Sequence, residues 1–316
     1  MNLGGLSRSR TAVLLLVLAF AGSAVVRAQD EAARIETQQQ VTTRAQTGVG
    51  AQPLTGEVTD ADLGDISLVT RLPRPNMFNF STTQSLNYTT NAFLVGNPEQ
   101  TAWFWNGRAD VLFIPYATRD FTPRVVFEQN WFRYDHLSEL DFDSQSFQAG
   151  AQYYFTRDHS WFVDGSYSWT RLYSQHPSIG EFYKFGFLNG SVTHLVSLQG
   201  IPVSLALSGG AYWRQGDPSR FDRVAPYLSA LAIYNICPKV QLTGFLRPEW
   251  QFYTNDPDRS LRQDFNLSVG TTLGWTPIEY LTLAASAAYV GNFSNVGFWR
   301  YNVGTPSVLV AARIAF

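Results

Sequence analysis

From about residue 78 onwards, apolar and polar residues alternate in runs of roughly 10–14, with turn residues between them and centres about 20 residues apart. The segment 240–252 shows the pattern best. Val240, Leu242, Gly244, Leu246, Pro248, Trp250 and Phe252 share one face, while Gln241, Thr243, Phe245, Arg247, Glu249 and Gln251 share the other. Segments 265–275 and 281–291 repeat it. A period of two sustained over ten or more residues predicts strands whose two faces meet different solvents. Twelve such runs are centred near Leu86, Ala109, Gln129, Gly150, Ser166, Leu188, Ser208, Ala230, Leu246, Val269, Ala287 and Val310. The parity slips in the sixth and eighth. In the sixth, Phe185 and Phe187 share a side with Asn189 and Ser191, which predicts a bulge or a shifted boundary there.

The connections alternate in length. Longer links, rich in Asp, Asn, Gly and Pro, are predicted at 95–100, 136–144, 174–181, 215–222, 255–262 and 292–305. Tighter ones fall at 156–159, 197–202, 235–239 and 276–280, with 118–123 of middling length. An even number of strands then places both ends of the run on the short-turn side.

Strand length selects the environment. A tilted strand needs about 9–11 residues to cross a bilayer, whereas strands of soluble sheets average about 5–6. A sheet survives in hydrocarbon only when closed, because an unpaired backbone group there costs several kcal/mol. Aromatic residues gather near the run ends, among them Trp103, Trp105, Tyr153, Phe155, Trp161, Trp213, Trp250, Phe252 and Trp275, where interfacial girdles belong. The expected fold is all-β: a transmembrane antiparallel up-and-down barrel of about twelve strands, with short periplasmic turns and longer outer loops. A secreted β-sandwich is the competing reading.

The first residues add an address. Arg8 and Arg10 precede the apolar run Ala12–Ala21, and small residues around Val26-Arg27-Ala28 follow, which reads as a signal peptide over 1–28. Residues 29–77 are polar and poor in aromatics over 31–50, and form an expected exported extension, either a periplasmic tether or a plug. Without residues 1–28 the net charge moves from −2 to −5, which gives no reason to expect a nucleic-acid partner. Cys237 is the single cysteine, so no internal disulfide stabilises the chain.

With the signal segment, the alternating strands and the last run in place, residues 78–316 resemble bacterial outer-membrane β-barrel proteins. In that family the final strand commonly ends in an aromatic residue, with apolar residues at alternate positions before it. Val308, Val310, Ala312, Ile314 and Phe316 fit that pattern. The resemblance implies an outer-membrane location, contact with outer-membrane lipid, and recognition of this strand by the barrel-assembly machinery. Arg313 falls on the opposite parity and is expected in the lumen.

The polar parity places Arg108, Asp110, Arg124, Glu128, Asp164, Arg247 and Glu249 in the interior as well, with Tyr154, Tyr212 and Phe245 beside them. Two readings follow. The charges line a porin-like passage for small solutes, or they pair up and fill a narrow structural barrel that recruits periplasmic partners through residues 29–77. Charges of both signs imply no strong ion preference. An enzyme is the third reading, since some twelve-stranded outer-membrane phospholipases use a His-x-Ser pair and a downstream Asn. His176-Pro177-Ser178 and Asn189 supply those residue types, but Pro177 breaks the strand on which the pair must sit. No metal or cofactor motif occurs, and the Thr-Arg-Asp turns at 118–120 and 156–158 read as ordinary turn chemistry.

Overall fold

A computed structural model describes residues 57–60, 64–67, 77–96, 99–175, 180–198, 200–255 and 261–316. Two short strands, β1 (Glu57–Asp60) and β2 (Gly64–Ser67), pair antiparallel with each other. Twelve longer strands follow. They are β3 (Phe78–Thr89), β4 (Ala102–Phe113), β5 (Phe121–Tyr134), β6 (Phe142–Tyr154), β7 (Trp161–Ser174), β8 (Glu181–Ser197), β9 (Val203–Asp217), β10 (Arg223–Cys237), β11 (Val240–Tyr253), β12 (Gln263–Ile278), β13 (Leu281–Ser294) and β14 (Tyr301–Ala315).

Each of these strands pairs antiparallel with the next, and β14 returns to β3, closing the barrel. The seam registers Val308 against Leu86 and runs from Ser307↔Asn87 to Ala315↔Asn79. Beyond it the Phe78 N–H donates to the Phe316 carbonyl at 2.9 Å, and the Phe316 N–H to the Phe78 carbonyl at 3.0 Å. Closure therefore satisfies the backbone all the way round, as hydrocarbon requires. The strands run from 12 to 17 residues, long enough to span a tilted path through a bilayer.

Exposure separates the two faces as the alternation predicts. On β11, Leu246, Trp250 and Phe252 are exposed, while Thr243, Phe245, Arg247, Glu249 and Gln251 are buried. On β14 Val308, Val310 and Ile314 are exposed, as is Phe316 just beyond it, and Arg313 lies half-buried on the opposite parity. The exterior is thus an apolar band, and the polar parity faces inward. Aromatic groups mark its two rims. Phe316 stacks on Phe80 at 5.7 Å and Phe78 on Phe113 at 4.8 Å at one rim, and Tyr88 meets Trp103 at 5.1 Å at the other. No helix among the described residues is long and apolar enough to cross a membrane; the strands make the crossing.

The tightest turns, Pro238–Lys239 and Glu279–Tyr280, lie at the rim that holds Phe78 and Phe316, on the side expected to be periplasmic. At that same rim the two Thr-Arg-Asp turns touch: Arg119 donates to the Arg157 carbonyl at 3.3 Å, and His159 Nε2 lies 3.0 Å from Asp120. Hydrogen bonds from the Thr156 and Ser160 hydroxyls and the Ser160 N–H hold the exposed Asp158 carboxyl down at about 2.

One expectation changes and two are placed more closely. The link expected at 292–305 is shorter, because β13 runs to Ser294 and β14 starts at Tyr301. The irregularity of the sixth run sits at Phe182, where the β7–β8 register skips one residue. Phe185 and Phe187 belong to an unbroken inward parity and are buried at the outer end, so no bulge is needed to account for them. In the eighth run the slip is a register shift between Asn235 and Cys237; before it, Leu231 and Ile233 face inward with Tyr227 and Ser229.

Candidate functional site

The interior carries the chemistry of this molecule. On the β4–β7 wall, Arg108 reaches Asp110 with Nε at 3.2 Å and Glu128 with Nη2 at 2.8 Å. Ser81 donates to Asp110 at 2.6 Å and Asn130 to Glu128 at 2.5 Å, so five side chains from three neighbouring strands join one network. Farther toward the inner rim, Arg124 grips Asp164 through two bonds of 2.7 and 3.1 Å. Their strands are separated by β6, whose inward Gly150 stands opposite Arg124 and carries no side chain to block the reach.

The second wall, β9–β12, concentrates charge toward the outer rim. Arg247 bonds Glu249 at 3.2 Å on the same strand face. Glu249 also accepts from Gln251 at 2.6 Å and from the Tyr212 hydroxyl, which in turn accepts from Arg223 Nε at 2.9 Å. Arg262 holds Asp264 in a bidentate pair, and Asn292 donates to the same carboxylate at 3.0 Å.

Guanidinium groups lie over ring faces throughout this wall. Arg247 stacks on Tyr227 at 3.8 Å, Arg214 on Phe185 at 4.0 Å, and Arg262 on Tyr253 at 3.9 Å and on Trp299 at 4.0 Å. Such stacking favours a desolvated cation by roughly 0.5–2 kcal/mol.

The rings lie flat because small residues sit beneath them. A Cβ at the inward Gly210 of β9 would come within 2.7 Å of the Tyr227 hydroxyl, and one at Gly270 of β12 would collide with the Phe245 ring. Large side chains accordingly run along the wall, where they pair with neighbouring strands. Tyr227 ends this path by donating to Asn189 at 3.0 Å.

Apolar loop residues pack onto the outer end of the barrel interior. Three loops carry a single 3-10 turn, at Ser138–Leu140, Ser219–Phe221 and Gly297–Trp299. Each turn places its last side chain, Leu140, Phe221 or Trp299, against the barrel's aromatic cluster, and Phe221 meets Trp299 edge-on at 6.3 Å. Two of the turns are fixed in the same way: Asp141 accepts from the Tyr134 N–H at 2.7 Å and Asp222 from the Gly216 N–H at 2.6 Å. Burial pushes the Asp141 carboxyl above its usual range, although that backbone bond pulls it the other way.

Of the charges expected inside, Arg108, Arg124, Glu128, Asp164, Arg247 and Glu249 are buried within the barrel, and Asp110 and Arg313 are partly so. They form two groups on different walls, plus Arg313, which donates to Asn79 at 2.9 Å at the inner rim. Tyr154, Tyr212 and Phe245 are buried too. The alternation did not single out Arg214, Arg223, Arg262 and Asp264, although Arg214 shares its parity with Tyr212. These four lie at strand ends or in the β11–β12 loop, where the pattern reads as loop. His176, Pro177 and Ser178 lie outside the described residues, whereas Asn189 is buried in the lumen as the acceptor of Tyr227. Among the described residues no cluster of three metal-ligating side chains occurs.

No family model and no curated protein matches the sequence. In fold the chain is similar to an outer membrane channel from Pseudomonas putida F1, at 12% identity and a TM-score of 0.56, covering 79% of this chain and 99% of that one. Lower TM-scores relate it to the translocator domain of the autotransporter NalP from Neisseria meningitidis (0.48, 11% identity, 75% of this chain and 88% of that one) and to the NanC porin (0.45, 10%, 74% and 100%). At these identities the likeness is one of fold alone, that of an outer-membrane barrel.

Proposed function

We propose that this barrel is a porin-like channel that passes small solutes across the outer membrane, and that it is not an enzyme. The observation that carries the reading is the lumen wall. Charges of both signs are fixed there by neighbouring strands, and the inward rings lie flat against glycines, so long side chains follow the wall. The fold shared with a known outer membrane channel supports it.

In this reading Arg108, Asp110, Arg124, Glu128, Asp164, Arg247, Glu249 and Arg313 belong to the wall of the passage, most of them buried in it and Asp110 and Arg313 partly open. The layer of Arg247, Glu249, Tyr212 and Tyr227 is its constriction, and the three 3-10 turns narrow the mouth above it. Charges of both signs balance along this wall, which suits polar solutes without a strong preference for either sign. Residues 29–77 tether the barrel to a periplasmic protein or enter it as a plug. The outward set from Val308 to Phe316 is read by the barrel-assembly machinery.

A filled structural barrel is favoured by one observation, the near-complete burial of Arg214 (0% exposed) and Arg247 (1%). Solute uptake separates the two. Liposomes carrying the full-length protein are expected to swell in isotonic solutions of small sugars or amino acids, more slowly as solute size rises. Liposomes that hold folded barrel yet stay as tight as empty ones would leave the filled barrel as the better account. Phospholipid hydrolysis by the purified protein, lost in Ser178→Ala, would overturn the non-enzymatic assignment.

A further inference from the structure

The outer half of the β8–β12 wall carries more positive charge than the alternation reveals. Among the described residues, Arg214, Arg223, Arg247 and Arg262 are 0–5% exposed inside it, and Arg220 joins them from the Ser219–Phe221 turn. The buried carboxylates at this level are Asp222, Glu249 and Asp264. However they pair, five guanidiniums meet three carboxylates, which leaves an excess of two positive charges.

The other strands do not offset it. Among the described residues their inward charges are Arg108, Arg124 and Arg313 against Asp110, Glu128 and Asp164, three of each sign. The excess enters with Arg214, Arg223 and Arg262, which the alternation did not single out.

Two features of this layer hold the cations without cancelling their charge. Arg214 of β9 and Arg223 of β10 are direct register partners on the inward face, an arrangement of like charges that costs a sheet stability. Their neighbours are rings and phenol hydroxyls. Arg214 lies 4.0 Å from the centre of the Phe185 ring and Arg247 3.8 Å from that of Tyr227, and Arg214 and Arg223 donate to the Tyr183 and Tyr212 hydroxyls. A ring face steadies a guanidinium but adds no negative charge.

Buried charges are screened less than exposed ones, and low-dielectric walls focus their field into the space they enclose. We propose that the outer half of the lumen is an anion-attracting zone, and that the solutes passed most readily are small anions bearing carboxylate or phosphate groups. The attraction acts through the field, so no solute has to touch the buried arginines. This inference rests on the channel reading and adds to it a modest preference of sign: the eight wall charges named there cancel, and the layer around Arg214 and Arg223 tips the balance.

Reversal potentials in planar bilayers under a KCl gradient read the sign directly. The full-length protein is expected to pass Cl⁻ over K⁺ by roughly threefold, the order of effect that two unit charges exert across several ångströms of water. Arg214→Met relieves the opposed pair and keeps an apolar chain beside Phe185, and it should bring the ratio close to one; Arg223→Gln should do the same. The double variant Arg124→Met with Asp164→Leu removes one charge of each sign and should keep the parent ratio. A silent bilayer with barrel inserted would overturn the channel reading and this inference with it. Conduction without preference, a preference for K⁺, or a ratio unmoved by both single variants would overturn this inference alone.

Discussion

Replacing Phe316 with Asp is expected to leave export intact and to strip folded barrel from the outer membrane. Phe316 does three things at once. Its ring covers Phe80 at 5.7 Å and Phe78 at 6.2 Å, its N–H and C=O close the seam against Phe78, and its side chain faces outward in the set read as the assembly signal. Withdrawing a phenylalanine from an apolar surrounding costs roughly 1.5–3 kcal/mol. A carboxylate near the membrane interface adds only about 0–1 kcal/mol. These terms shift stability without abolishing folding, so a near-complete loss of barrel in cells would point to failed recognition by the assembly machinery. Purified Phe316→Asp protein refolded in detergent is accordingly expected to form barrel, detected by its heat-dependent gel mobility. In cells it should accumulate in the periplasm. Normal assembly of the variant would contradict this account of the strand.

Asp164→Ala is expected to be among the most destabilising single changes in the wall. The Arg124–Asp164 pair has side chains 3% exposed at both ends and two bonds of 2.7 and 3.1 Å. Removing one member leaves a buried guanidinium without its counter-charge, typically a loss of about 3–5 kcal/mol. Replacing both, as Arg124→Met with Asp164→Leu, should recover most of that, because the desolvation of both charges disappears together with their attraction. Urea unfolding of the three variants in one lipid or detergent system measures the difference. A single variant within about 0.5 kcal/mol of the parent would show that water reaches this pair, since exposed ion pairs contribute little.

Much of the barrel is legible in the sequence because lipid and lumen impose opposite demands on alternate residues. Along β11, every outward residue from Leu242 to Phe252 is apolar or glycine, and the inward ones are polar except Phe245. The rule weakens where the interior is itself apolar. Phe185 and Phe187 face inward to pack on Arg214 and Tyr212, and Leu231 and Ile233 leave both faces of β10 apolar, so their parity carries no contrast. The outer charged layer escaped for a related reason. Arg223 and Arg262 border segments rich in Asp, Asn and Pro, and only the folded loop and its neighbouring rings show that they turn into the barrel. Pairing within the lumen is equally hidden: residues 37 to 40 positions apart, such as Tyr212 with Glu249 and Arg124 with Asp164, meet across an intervening strand.

Single-channel recording in planar bilayers tests the central claim most directly. The full-length protein is expected to produce discrete, small current steps, and the double variant Arg247→Ala with Glu249→Ala to produce larger ones, because it widens the proposed constriction while removing both members of a buried pair. A bilayer that stays silent with barrel demonstrably inserted, or steps unchanged by the double variant, would contradict the account.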